Sequence, residues 1–114
     1  NIVVAGVDDD SMRTALEEVI SLGGGLVVAS PNGVVSSLPL PIAGLMSDRP
    51  LEEVRQALER LHEAYRELGG TLDDAFMSLS FLALPVIPAL KITDLGLVDV
   101  EKFERVPLFL PPET

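Results

Sequence analysis

Residues 76–100 read FMSLSFLALPVIPALKITDLGLVDV, and from Phe76 to Leu90 they carry no charge. Pro85 and Pro88 forbid a continuous helix or a central strand, since each fixes its own φ and lacks an amide donor. A long apolar segment is thereby held on an irregular path that is costly to expose. Periodicity does not separate helix from strand over Met77–Leu84. Bulky Leu79, Phe81, Leu82 and Leu84 mix with small Ser78, Ser80 and Ala83, and closure by Pro85 favours an extended or mixed segment. Asp73-Asp74 can cap a short turn or helix just before it. Downstream, Leu90–Ile92 reads as a short strand, Thr93–Gly96 as a turn and Asp99–Phe103 as a capped turn. Arg105–Leu110 is a last strand-like run, which Pro111-Pro112 ends.

Upstream, Ile2–Val7 is apolar on both faces and reads as a central strand. Asp8–Asp10 then supply an N-cap and an acidic first turn. Met12, Ala15, Leu16, Val19 and Ile20 form the buried stripe of the helix that follows, and Gly23 suits its left-handed end. Leu26–Ala29 and Val34–Leu38 make a hairpin around Pro31-Asn32-Gly33. Pro39 and Pro41 stop the second strand, and Ile42–Met46 is an apolar loop. Asp48 and Pro50 mark the start of another helix. Its stripe is Leu51, Val54, Leu58, Leu61, Tyr65 and Leu68, and Gly69-Gly70 end it. These elements predict an α+β fold, an α/β sandwich. A mixed, largely buried sheet of about three to five strands is covered by at least two helices.

The 114 residues suffice for one domain with one core, and a hydrophobic fraction of 47% excludes a disordered chain. No cysteine is present, which removes disulfides, thiolate nucleophiles and cysteine-based zinc sites. A net charge of -10 would repel a phosphate backbone, so no nucleic-acid partner is expected. Val19–Ser47 is uncharged, but its glycines and prolines break the run of about 20 apolar residues that a membrane span needs. No basic n-region marks a signal peptide. A cytoplasmic protein with no membrane partner is expected. The sequence opens at Asn1 directly in a strand pattern, as a cut inside a larger protein would.

Few residues offer chemistry. His62, the one histidine, lies on a helix flank among Arg60, Glu63 and Arg66. Asp8-Asp9-Asp10 lack the spacers, the bend and the distal glutamate of a calcium loop. Gly23–Gly25 follow a helix and open a strand, whereas a phosphate loop does the reverse. Ser78 and Ser80 have no histidine–aspartate pair beside them in sequence.

Two motifs, Leu38–Asp48 (LPLPIAGLMSD) and Phe76–Val100, closely resemble the C-terminal domain of microbial adenine deaminases, members of the metal-dependent amidohydrolase superfamily. The resemblance also takes in Ile2–Gly6, Gly23–Gly25 with the Val-rich run after them, and the helix over residues 47–68. It implies that residues 1–114 are a single C-terminal domain of a larger enzyme of purine salvage, whose catalytic (β/α)₈ barrel precedes it. That barrel would hold manganese or iron on histidines and carboxylates, and the metal would make a hydroxide that attacks the purine carbon bearing the amino group. With one histidine and no HxH pair, this segment is expected to hold no catalytic residue, metal or cofactor. Its expected partners are its own barrel and other copies of the full enzyme.

Met46, Phe76, Met77 and Phe81, on the proline-set apolar segments, are candidates for a domain interface or a substrate lid. Barrel sites open at the C-terminal face, where an appended domain can exclude water. Core filling within the domain is the competing reading of the same side chains. Two other functions stay open: a stand-alone acidic α/β binding module, or a domain of a related amidohydrolase with another substrate.

Overall fold

In a computed structural model, residues 1–110 are described. The order is α1 (Asp9–Leu22), β1 (Gly25–Ser30), β2 (Gly33–Pro39), α2 (Leu51–Glu67), α3 (Ala75–Leu82), β3 (Leu90–Thr93), β4 (Gly96–Asp99) and β5 (Glu104–Arg105). The class is α+β. The strands do not join one mixed sheet, however. They form an antiparallel pair, β1-β2, and a three-stranded antiparallel sheet in the order β3-β4-β5. The chain divides into two compact units, Ile2–Phe76 and Asn1 with the residues from Met77 onward.

In the first unit, α1 starts where Asp8 accepts a hydrogen bond from the Ser11 amide at 2.7 Å. It ends at Gly23, whose φ of 71° lets its amide reach Ile20 O and the Gly24 amide reach Val19 O. Met12, Ala15, Leu16 and Val19 are half-buried, but Ile20 is exposed. β1 and β2 pair as Leu26↔Leu38 and Val28↔Ser36, with a bulge between Val28 and Ala29. Gly25 is required here, because a Cβ would strike the Leu38 carbonyl. At Gly24 a Cβ would sit 2.6 Å from Gly44 Cα, so the Ile42–Met46 turn closes on the start of the hairpin backbone to backbone. Ile42 and Met46 form the bridge across that turn.

α2 lays one stripe on this hairpin. Ala57, Leu61 and Ala64 are buried with Val28 and Leu38, and Leu26, Leu40, Val54, Leu58, Tyr65 and Phe76 pack around them. Leu61 is fully buried, and such a side chain contributes roughly 1.5–3 kcal/mol by leaving water. Leu51 and Leu68, at the ends of the expected stripe, are exposed. The polar side is laced by Arg55, which bonds Glu52 at 2.7 Å and also pairs with Glu59. Asp48 does not cap α2. The helix starts from Pro50 without a side-chain cap, and the Pro50 carbonyl accepts from the Glu53 and Val54 amides. A proline in this position already has a helix-compatible φ and no amide to satisfy.

Ile2–Val7 is not a strand in this structure. Residues 1–6 have no regular structure and the first four side chains of the run are exposed. Strand propensity needs a neighbouring ladder to act on, and no strand pairs with these residues among the described ones.

In the second unit, the residues expected to be extended are helical: α3 covers Ala75–Leu82. Pro85 lies beyond its last turn and so removes no helical hydrogen bond, and Ser80 Oγ donates back to Met77 O at 2.7 Å. β3 and β4 are joined at Thr93↔Gly96, where Thr93 Oγ1 donates to Gly96 O at 2.9 Å and accepts from the Leu95 amide at 3.1 Å. Asp99 caps the following turn by accepting from the Lys102 amide at 3.2 Å, and Val100 is buried. The strand expected over Arg105–Leu110 is only Glu104–Arg105, extended by one bond from the Val106 amide to Leu97 O. Pro107 then has no amide to continue the ladder. Pro111-Pro112 lie outside the described residues.

Candidate functional site

The groups that could do chemistry are scattered. No cluster of three or more histidine, aspartate or glutamate side chains among the described residues could hold a metal ion. His62 is half-buried on α2 and meets the Phe76 ring edge to face, with centroids 5.7 Å apart. Asp8 is held below the ordinary carboxylate range, chiefly by the hydrogen bond that the Ser11 amide donates to it. Asp10 pairs with Arg13 at 2.8 Å. The aspartates thus serve the start of α1, and Gly23–Gly25 serve its end and the close approach to β2. Asp99 is likewise held low by Lys102, whose ammonium lies 3.1 Å away.

Two shallow depressions are found among the described residues. One, of about 410 Å³ between β2 and α2, is lined by Ser36, Ser37, Arg60, Glu63 and Glu67. The other, of about 240 Å³ in the second unit, is lined by Pro85, Thr93, Asp94, Leu95 and Arg105. A ligand pocket is mostly apolar with a few convergent polar groups; the first depression has charges of both signs on an open surface, and the second is small. Among the described residues, no helix is long and apolar enough to cross a membrane.

The apolar candidates have different surroundings. Phe76 is half-buried and packs on the first unit's core. Met46 ends the Ile42–Met46 turn in that unit and is 58% exposed. Met77 and Phe81 lie one helical turn apart on α3 and are 52% and 45% exposed, with Leu82 beside them at 53%. α3 has no charged residue, and Ser78 and Ser80 are its only polar side chains. A helix of that composition is normally enclosed, yet Met77, Phe81 and Leu82 are each about half exposed. Leu84 and Val86 extend the exposed apolar surface towards Pro88. The sequence signal for this surface was the uncharged run itself; the helical placement of Met77 beside Phe81 was not in it.

Comparison with known proteins matches residues 1–104 to a family described as the adenine deaminase C-terminal domain. The chain is 58% identical over 109 residues to an adenine deaminase of Desulfatibacillum aliphaticivorans, covering 96% of the chain and 19% of that protein. It is 57% identical over 111 residues to adenine deaminase 2 of Carboxydothermus hydrogenoformans, covering 96% of the chain and 20% of the relative. With the adenine deaminase of Brucella abortus the identity is 52% over 106 residues, 93% of the chain and 18% of the relative. The chain therefore spans about a fifth of the length of the curated relatives it matches.

Proposed function

Because the chain belongs to the adenine deaminase C-terminal domain family, we propose that it is the non-catalytic C-terminal domain of an enzyme that hydrolyses adenine to hypoxanthine and ammonia. The observation that carries this reading is identity of 52–58% across nearly the whole chain with proteins named for that activity. The chemistry of the segment is consistent with it. Hydrolysis of an amino-purine needs an activated water and groups that manage its protons. His62 packs against Phe76, Asp8 caps α1, and Glu52 and Glu59 pair with Arg55. The manganese or iron, its ligands and the base-recognising groups belong to the part of the polypeptide outside residues 1–114.

The domain's own contribution is an apolar docking surface. The outer face of α3, with Met77, Phe81 and Leu82, packs on the catalytic barrel or beside its mouth, where it excludes water. Met46 offers a second apolar contact from the other unit. Phe76 packs on the first unit's own core. Assembly of the full enzyme into oligomers through such surfaces is part of the same reading.

The test is expression of the complete gene with manganese or iron, followed by ammonia release across nucleobases. Release from adenine in preference to guanine and cytosine is expected. Release only from another amino-purine or an amide would make the protein a different amidohydrolase. No release from any of them, with a gene encoding little beyond these residues, would make the chain a binding module.

A further inference from the structure

Residues 2–7 read IVVAGV, with β-branched side chains in four of six positions and no charge. Such a run is built for a pleated, paired environment. Here Ile2, Val3 and Val4 are 47%, 37% and 36% exposed, and Val7 is fully exposed. The run leads straight into α1. Asp8 is extended, at φ -142° and ψ 146°, and Gly6 sits so close to Met12 that a Cβ would lie 2.6 Å from its Cγ. The end of the run is thereby fixed to a well-capped helix while its backbone amides and carbonyls join no ladder. In the same unit the β1-β2 sheet has only two strands, so each has one edge unpaired among the described residues.

The matched relatives are about five times longer than this chain, and the matching family is their C-terminal domain, so most of each relative precedes the matched region. We propose that in the complete polypeptide Ile2–Val7 is a strand, hydrogen-bonded to a strand from the segment that precedes residue 1. This rests on the reading of the chain as the C-terminal part of a longer enzyme. The partner is an apolar, β-branched strand of the same polypeptide, because the side chains of Ile2–Val7 are uncharged towards both faces of any sheet they enter. A strand close in sequence is favoured over a second copy, since consecutive strands pair or neighbour one another roughly two-thirds of the time.

Hydrogen–deuterium exchange on the complete gene product tests this. The amides of Val3, Val4 and Ala5 are expected to exchange at least about 100-fold more slowly than in an unstructured chain, as ladder amides do, and equally at every protein concentration. Exchange at unstructured rates overturns the inference. Protection that vanishes on dilution also overturns it, because the partner is then a second copy. Val4→Pro in the complete protein is expected to abolish the protection of its neighbours while the α1 amides stay protected. The same sample is assayed on adenine. Active protein with unprotected residues 3–5 refutes the strand and leaves the proposed function intact. Protected but inactive protein refutes the function and leaves the strand.

Discussion

The His62 and Phe76 rings meet edge to face, 5.7 Å apart and at 88° to one another. This contact gives the chain's one histidine a packing role on the flank of α2. Phe76→Ala should cost about 2 kcal/mol, below the roughly 3–5 kcal/mol of a fully enclosed phenylalanine, because the ring is only half-buried. His62→Ala should cost no more than about 1 kcal/mol, the scale of an aromatic edge contact. Denaturant titration of both variants checks the ratio, and a larger loss from His62→Ala would mean a role the contact does not explain.

Leu61 is the centre of the first unit's core, fully buried against the hairpin. Leu61→Ala should destabilise by about 3 kcal/mol. Leu51→Ala on the same helix, at 84% exposure, should change stability by less than about 0.5 kcal/mol. Unfolding midpoints of the pair measure the difference.

Gly25→Ala should be more damaging than Gly69→Ala. Both have positive φ, but a Cβ at Gly25 meets the Leu38 carbonyl, while at Gly69 it meets open space. Strain alone costs about 1 kcal/mol or more; at Gly25 the collision adds to it and opens the Gly25↔Pro39 end of the hairpin. Amide exchange of Leu26 and Leu38 should accelerate only in Gly25→Ala.

Much of this was legible in the residues. Asp8 before a 3–4 periodic run and Gly23 after it mark both ends of α1, and Pro31-Asn32-Gly33 between two valine-rich runs marks the hairpin. The α2 stripe gives the core. What escaped depends on partners distant in sequence or on residues with no polar side. Ile2–Val7 has strand composition but no ladder in this structure. Met77–Leu84 carries no charge, and its two serines do not line up on one helical face, so periodicity did not separate helix from strand. At the interface candidates, the uncharged run located the surface but not which side chains point out.

Acid should weaken α1 through Asp8. Its carboxyl is held below its ordinary 3.8 chiefly by the hydrogen bond from the Ser11 amide. A depressed folded value means the stabilisation is present above the unfolded value and is lost as pH falls through the folded one. In Asp8→Asn, which can still accept from the Ser11 amide, that acid-side loss should be smaller. Helical circular dichroism between pH 5 and about 2 compares the two.

The proposed docking surface makes a prediction for the complete protein. Met77→Glu with Phe81→Glu places two charges on the outer face of α3, where burial of an unpaired carboxylate is strongly unfavourable. The double variant should lose thermal stability or adenine turnover in the complete protein and change little in residues 1–114 alone. Equal effects in both would place the two side chains in the domain's own packing.

Ammonia release from adenine, measured side by side on the complete gene product and on purified residues 1–114 with manganese or iron added, separates the domain from the chemistry. Release by the complete protein and none by residues 1–114 is the expected pair of results. Metal-dependent release by residues 1–114, free of contaminating enzyme, would contradict a non-catalytic domain outright.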